Sequence, residues 1–175
     1  MTEKELVDQC QKEIRSAQKA LYETYYIEMK RLVMRYAKEE NDAFDCLSTG
    51  FYKVLTKINQ FDYQGKGSLS AWIRKIMINE ALMKIKALKR EQLLFWEEPI
   101  EAPEVQEEFM ESSYIYDCIR LLPDGARTIF NLVAIEGYSH KEASQILNIS
   151  EGTSRSQLVY ARGKLKQLLN DQKYS

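Results

Sequence analysis

Residues 136–165 have the sequence EGYSHKEASQILNISEGTSRSQLVYARGKL, which predicts two helices joined by a short turn. The first helix is expected to begin after Ser139, because Ser139 and Glu142 have the S-x-x-E spacing of a capping box. A turn is expected around Asn148, and Ser150 is a candidate N-cap for the second helix. The segment therefore predicts a helix-turn-helix.

The second of these helices has two different faces when its residues are placed at about 100° per residue. One stripe is expected to face the domain core: Ser154, Leu158, Ala161 and Leu165. The opposite stripe and its shoulder could approach base edges and phosphates: Thr153, Arg155, Ser156, Val159, Tyr160 and Gly163. This pattern is typical of a recognition helix in a DNA major groove. An ordinary helical hairpin with a solvated polar face would have the same pattern.

The helix-turn-helix and the segment before it, LPDGARTIFNLVAIEGYSHKEAS from residue 122, resemble region 4 of extracytoplasmic-function (ECF) sigma factors of the sigma-70 family. The version common in Bacteroidetes is the most similar pattern. The resemblance implies that the second helix reads the -35 promoter element as duplex DNA through Thr153, Arg155, Ser156, Val159 and Tyr160. It also implies contact with the flap of the second-largest RNA polymerase subunit. Gln157 and Tyr160 stand where other sigma factors often carry Arg or Lys, which implies a distinct upstream sequence or weaker dependence on it.

Composition favours an all-α protein that acts by binding. The chain has 175 residues with only 7 Gly and 3 Pro, and its apolar residues recur at helical spacing. No apolar run reaches a membrane span and no signal peptide is apparent, so we expect a cytoplasmic protein with its 3 cysteines reduced. No nucleophile, phosphate-loop or metal-ligand motif is found, and the single histidine, His140, is expected to be exposed. We therefore expect no enzyme activity, no cofactor and no metal.

An acidic segment divides the chain. Residues 97–113 contain seven glutamates and no Lys or Arg, and removing those glutamates would change the net charge from -1 to +6. Pro99 and Pro103 prevent a continuous helix in this segment. We therefore expect two small helical domains, residues 1–92 and 114–175, joined by an acidic flexible linker over residues 93–113.

Apolar spacing predicts helices over residues 5–17, 18–38 and about 41–58 in the first domain. The last of these lies in DAFDCLSTGFYKVLTKINQF, which resembles region 2.2 of the same family. The resemblance implies docking on the clamp helices of the largest polymerase subunit through five residues: Asp42, Asp45, Ser48, Thr49 and Tyr52. Two observations qualify this interpretation. Both aspartates are expected in the first turn of the helix, where the helix dipole alone would explain them. Ser48-Thr49 stands in place of a Gln-Glu pair that is usual in the family.

Aromatic and basic residues meet in and after the segment FDYQGKGSLS, which begins at residue 61. Such interleaving suits single-stranded DNA, because bases stack on aromatic rings while cations hold the backbone. The residues concerned are Phe61, Tyr63, Lys66, Trp72 and Lys75. The segment resembles the family's loop between regions 2.3 and 2.4, which implies capture of a flipped non-template base. The alternative is a connecting loop with Phe61 and Trp72 in the core.

Residues 71–90 predict a long helix with Lys75, Asn79, Lys86 and Arg90 on one face. Asn can make two directed hydrogen bonds to a base, and the cations can bind phosphates. Asn79 matches the Asn that the family uses near the first base of the -10 element. Cations near the end of the helix, Lys84 among them, also suit its dipole.

The two resemblances occur in the family's order and cover nearly the whole chain. They imply an ECF sigma factor that binds core RNA polymerase and promoter DNA, captures the melted -10 element and is controlled by an anti-sigma factor, often membrane-bound. Two alternatives remain: a stand-alone helix-turn-helix regulator, and a sigma-like protein that sequesters its partners.

Overall fold

The computed structural model describes the backbone of residues 1–92 and 112–171, and the side chains of residues 1–87 and 115–170. Regular structure in these residues is entirely helical, which confirms the all-α prediction. The chain divides into two compact units, residues 1–93 and 94–175. The linker predicted over residues 93–113 lies outside the described residues except for its last two, which begin a helix.

Unit 1 contains four α-helices among its described residues. They are α1 (Glu3–Gln11), α2 (Arg15–Tyr36), α3 (Glu40–Lys57), which is followed by a 3₁₀ turn (Ile58–Gln60), and α4 (Ser68–Gln92). The largest fully buried side chains of this unit include Leu21, Met29, Leu32, Ile73 and Met77. Helices α2, α3 and α4 all pack against one another around this core.

The boundary between α1 and α2 differs from the predicted one. A helix was expected to continue to about Ala17, but α1 ends at Gln11 and Glu13 adopts a left-handed conformation with φ 58°. The backbone N–H groups of Glu13 and Ile14 then bond to carbonyls of the last turn of α1. Apolar spacing did not reveal this break, because Ile14 fits the helical stripe although its side chain is 40 % exposed.

Helices α3 and α4 approach closely at Gly50. A Cβ atom at this position would lie 2.3 Å from Sδ of Met77, whose side chain is fully buried. The absence of a side chain at Gly50 therefore leaves room for the Met77 side chain between the two helices.

Unit 2 packs its helices around a small core. Its elements are α5 (Ser112–Arg120), α6 (Asp124–Ile129), a π-helical continuation of α6 (Phe130–Ile135), α7 (His140–Leu147) and α8 (Glu151–Asp171). The core cluster is formed by Cys118, Ile119, Leu122, Ala126, Ala161 and Leu165. Because α8 packs against α5, α6 and α7, its buried arc is wide.

A buried arginine closes the corner between α5 and α6. Arg127 donates hydrogen bonds to the carbonyl oxygens of Arg120 at 3.1 Å and Leu122 at 3.0 Å, and pairs with Asp124 at 2.7 Å. The guanidinium thereby satisfies carbonyls that the end of α5 leaves without helical partners. Pro123 is the N-cap of α6.

The cysteines of both units are buried. Cys10, Cys46 and Cys118 are free thiols, and all are buried. Desolvation raises the pKa of the Cys46 thiol to about 11.

Within residues 1–92 and 112–171, no helix has the length and apolar character needed to cross a membrane.

Candidate nucleic-acid and polymerase interfaces

The two helices α7 and α8 begin as predicted. Ser139 and Glu142 form a capping box: the Ser139 N–H donates to Glu142 Oε2 at 2.8 Å, and the Glu142 N–H donates to Ser139 Oγ at 3.2 Å. Glu142 Oε2 also accepts the Ser139 hydroxyl at 2.7 Å, and the two hydrogen bonds that the carboxylate accepts from Ser139 lower the pKa of Glu142. Asn148 ends α7 in the left-handed conformation, and Ser150 Oγ accepts the Thr153 N–H at 2.9 Å. The predicted helix-turn-helix is thus confirmed at both caps and at its turn.

His140 connects the two helices. Its Nδ1 lies 2.8 Å from Oγ of Ser154, which is fully buried on the inward face of α8. His140 is itself partly buried, so the expectation of an exposed histidine was wrong. Its position at the first residue of α7 allows the ring to reach across the turn, and the contact restrains the angle between α7 and α8.

The inward stripe of α8 is buried as predicted, and part of the opposite side of the helix is exposed. Arg155, Ser156 and Val159 are exposed, with Val159 65 % exposed, and Thr153 is partly buried. Arg155 pairs with Glu151 one turn earlier at 3.1 Å, and both side chains are solvated. An exposed pair of this kind is held weakly, so the guanidinium can exchange its partner.

Two residues of the predicted outward stripe of α8 are not exposed, and a third residue of the helix is buried as well. Tyr160 is partly buried and packs against the core cluster of unit 2, and Gly163 is buried. Gln157 is also buried and therefore does not stand among the groups facing solvent. These residues are buried because three neighbouring helices cover a wide arc of α8. The sequence pattern predicted only one buried stripe on this helix. Of the predicted DNA-contacting residues, Arg155, Ser156 and Val159 are accordingly exposed, whereas Thr153 and Tyr160 are partly buried.

The aromatic–basic loop before α4 separates into a support and an exposed tip. Phe61 is buried and its ring centroid lies 5.0 Å from that of Trp72, which is partly buried. Phe61 therefore packs against Trp72 as the alternative of a core residue expects, and its contact with DNA stays a prediction. Tyr63 is partly buried and Lys66 is exposed. The chain turns at Gly65 and Gly67, where φ is 112° and 90°.

The predicted DNA face of α4 is exposed over its described part. Lys75, Asn79 and Lys86 are exposed, whereas Ile73 and Met77 on the opposite face are fully buried. The side chain of Arg90, the fourth predicted member of this face, lies outside the described residues.

The predicted polymerase-binding residues form a row on α3. Asp45, Ser48, Thr49 and Tyr52 are exposed and recur at helical spacing. Asp42 is partly buried. Because α3 begins at Glu40, Asp42 lies in the first turn but Asp45 does not. The helix dipole therefore accounts for Asp42 only. The expectation that it would also account for Asp45 was wrong.

Lys84 of α4 binds both aspartates of α3. Its Nζ lies 3.1 Å from Oδ1 of Asp42 and 3.3 Å from Oδ2 of Asp45. Hydrogen bonds to these carboxylates raise the pKa of the Lys84 ammonium. A second bridge, Lys53 to Glu80 at 2.6 Å, joins the same two helices. Sequence spacing gave no signal for these pairs, whose members are 27 to 42 residues apart.

Family profiles match both units. The profile "Sigma-70 region 2" matches residues 21–91, and "Sigma-70, region 4" matches residues 112–165. The ECF RNA polymerase sigma factor SigM of Bacillus subtilis is 26 % identical over 159 residues, covering 86 % of this chain and 93 % of SigM. The ECF RNA polymerase sigma-E factor of Haemophilus influenzae is 26 % identical over 179 residues, covering 93 % and 92 %.

Two solved structures share the fold. The sigma factor RpoE of Bartonella quintana, solved with the anti-sigma factor NepR, has a TM-score of 0.53 at 21 % identity, covering 87 % of this chain and 96 % of RpoE. CnrH, solved with the cytosolic domain of CnrY, has a TM-score of 0.52 at 20 % identity, covering 95 % and 96 %. With regions 2 and 4 matched in order on the two helical units, the chain belongs to the sigma-70 family, as an RNA polymerase sigma factor of the ECF group.

Proposed function

We propose that this chain binds core RNA polymerase through α3, captures the melted -10 element with the loop before α4 and with α4 itself, and reads the -35 element as duplex through α8. It acts in the cytoplasm by binding alone, without catalysis or a cofactor. One observation carries the proposal: the unit matched to region 2 has two exposed surfaces. The row on α3 has an acidic residue and hydroxyl groups, and the face of α4 has cations and an amide.

The α3 row suits a basic protein partner. Asp45 is 72 % exposed at its side chain, and Ser48, Thr49 and Tyr52 continue the row with hydroxyl groups. Exposed ion pairs contribute only about 0–1 kcal/mol. Asp45 can therefore exchange Lys84 for a cation on the clamp helices of the largest subunit at little cost.

The α4 face suits the non-template strand. Lys75 and Lys86 are exposed cations on either side of Asn79, and cations at this spacing can follow a phosphate backbone. The Asn79 amide can donate and accept toward one base edge. Trp72, held against Phe61, offers an aromatic surface next to this face. Arg90 completes the proposed set at the end of the helix.

The α8 edge suits a major groove. Thr153, Arg155, Ser156 and Val159 combine a cation, two hydroxyl groups and an apolar group that can contact a thymine methyl. Bidentate arginine contacts to guanine are worth about 1–3 kcal/mol of discrimination. We assign Arg155 the main base contact, whereas Tyr160 packs against the core cluster of unit 2. Unit 2 would also contact the polymerase flap.

We infer that an anti-sigma factor antagonises this chain. RpoE was solved with an anti-sigma factor and CnrH with the cytosolic domain of CnrY. A protein antagonist would cover the α3 row or the α4 face, because occupation of either surface blocks a required step.

The proposal is tested by run-off transcription with purified core polymerase on genomic fragments from the source organism, with and without this chain. Discrete transcripts that need both proteins support it and supply the promoter sequences. A stable complex with core but no transcripts would instead favour a sequestering protein, a candidate suggested by the exposed Ser48-Thr49 in place of an acidic pair. Duplex binding without any complex with core would favour a stand-alone DNA-binding regulator.

A further inference from the structure

The segment between α3 and α4 is tied at both ends by side chains of α1. Near its start, Gln11 Nε2 donates to the carbonyl oxygens of Ile58 and Phe61, each at 3.1 Å. Near its end, the Glu3 carboxylate accepts the Gly67 N–H at Oε2 and the Leu69 N–H at Oε1, each at 2.8 Å. The loop that carries Tyr63 and Lys66 therefore has two fixed ends.

The chemistry of each contact suits its position. The first N–H groups of a helix have no helical acceptor, and the positive end of the helix dipole favours an anion. Glu3 supplies both an acceptor and a negative charge at the start of α4, as an N-cap side chain would, although it lies more than 60 residues away in the sequence. Gln11 supplies two donors, one to the carbonyl of Ile58 at the start of the 3₁₀ turn and one to the carbonyl of Phe61 directly after it.

Helix α1 is a short, well-capped rod. Its eight-residue separation between Glu3 and Gln11 corresponds to about 12 Å along the helix axis. Thr2 and Glu5 form a capping box at its start, with hydrogen bonds of 2.7 and 3.2 Å. Leu6, Val7 and Cys10 anchor the helix in the core of unit 1. The spacing between the two ties is therefore fixed by a rigid element.

We propose that α1 is a positioning element for capture of the -10 strand: Glu3 and Gln11 hold the loop in the conformation that receives an unstacked non-template base. This inference rests on the proposed function of the loop and adds residues that lie outside the segment matched to region 2, which begins at residue 21. Gly65 and Gly67 give the loop many alternative conformations when it is not restrained. Ordering it before DNA arrives lowers the entropic cost of capture.

The test uses two isosteric variants in holoenzyme assembled from core polymerase and the full chain. Glu3→Gln keeps the side-chain shape but replaces one acceptor oxygen with a donor, and Gln11→Glu removes both donors. Asp8→Asn is the matched control for lost charge, because Asp8 is exposed on the same helix and has no hydrogen bond to the loop within the described residues. Gln9→Glu is the corresponding control for gained charge.

The readout is base discrimination on a promoter identified by run-off transcription. Open complexes are measured by permanganate reactivity of unpaired thymines, with the preferred and with a substituted non-template base at the most sensitive -10 position. We expect Glu3→Gln and Gln11→Glu to lower the discrimination ratio about tenfold, with core assembly and discrimination unchanged in both controls. General destabilisation would lower opening on both templates and leave the ratio unchanged.

Two results would overturn the inference. One is a wild-type ratio in both isosteric variants, and the other is an equal loss of the ratio in the controls. Failure of the wild-type chain to open any promoter would remove the proposed function, and this inference with it. Opening by the wild-type chain with unchanged variants would remove only the role of α1.

Discussion

The Nζ atom of Lys84 lies 3.3 Å from the Oδ2 atom of Asp45, so an α4 residue holds the acid that we assign to polymerase docking. The same Nζ also binds Asp42. Helices α3 and α4, to which we assign polymerase docking and DNA binding, are therefore joined by an ion pair that can open when a partner supplies another cation.

Asp45→Arg is expected to impair assembly with core polymerase. The substitution reverses a charge on the α3 row and places a second cation beside Lys84. Holoenzyme formation is measured by native electrophoresis over a series of core concentrations, with Asp8→Arg as a control of equal charge change on α1. Normal assembly by Asp45→Arg would show that this face does not dock.

Asn79→Ala is expected to weaken promoter opening and to leave core binding unchanged. Asn79 is exposed, so its truncation should change the free energy of unfolding by no more than about 0.5 kcal/mol. Permanganate footprinting measures opening, and native electrophoresis measures the complex with core. Loss of core binding would contradict the assignment of Asn79 to the -10 element.

Gly50→Ala is expected to destabilise unit 1 by about 1–3 kcal/mol, the usual cost of inserting a methyl group into a packed core. The new Cβ would lie 2.3 Å from Sδ of Met77, which is fully buried and has little room to move. Urea unfolding provides the measurement. Gly152→Ala is the control, because its new Cβ would meet only Ser150 Oγ at 3.5 Å and should be tolerated. Equal behaviour of the two variants would refute the close approach of α3 and α4.

Tyr160→Ala is expected to destabilise unit 2 by about 1–3 kcal/mol rather than to change promoter choice, because the ring packs against the core cluster. Arg155→Ala should have the opposite profile: normal stability, because Arg155 is exposed, but altered preference for upstream sequences. Thermal unfolding and transcription from a promoter library distinguish the two. A changed preference in Tyr160→Ala at normal stability would restore Tyr160 to the DNA face.

The capping box of α7 is expected to weaken in acid. Its hydrogen bonds lower the pKa of Glu142 from 4.5, so its stabilisation is present above pH 4.5 and is lost as the pH falls through the lower folded value. Glu142→Gln should therefore reduce the dependence of unfolding on pH below 4.5. Urea titrations across that range provide the measurement, and an unchanged slope would rule out the contribution of this carboxylate.

What could be predicted from the sequence was local. Ser139, Glu142 and Ser150 act on N–H groups three residues away, so their spacing alone predicts both helix starts. The exposed face of α4 follows from helical periodicity in the same way. The left-handed Glu13 has no comparable signal, because a single-residue break need not disturb the apolar spacing.

What could not be predicted depended on neighbours distant in sequence. The burial of Tyr160 and Gln157 is set by the three helices that cover α8. Lys84 reaches aspartates on another helix, and Glu3 reaches Gly67 across 64 residues. These side chains are ordinary surface residues by their local pattern, and only the packed fold gives them partners.

The three buried thiols allow the unfolding of each unit to be measured separately. Cys10 and Cys46 belong to unit 1 and Cys118 to unit 2, and burial raises the pKa of both unit 1 thiols. A thiol reagent can modify each cysteine only after its surroundings open. Mass spectrometry of the labelled peptides would therefore record how often each unit opens, without any engineered label, in the free chain and again when polymerase is bound.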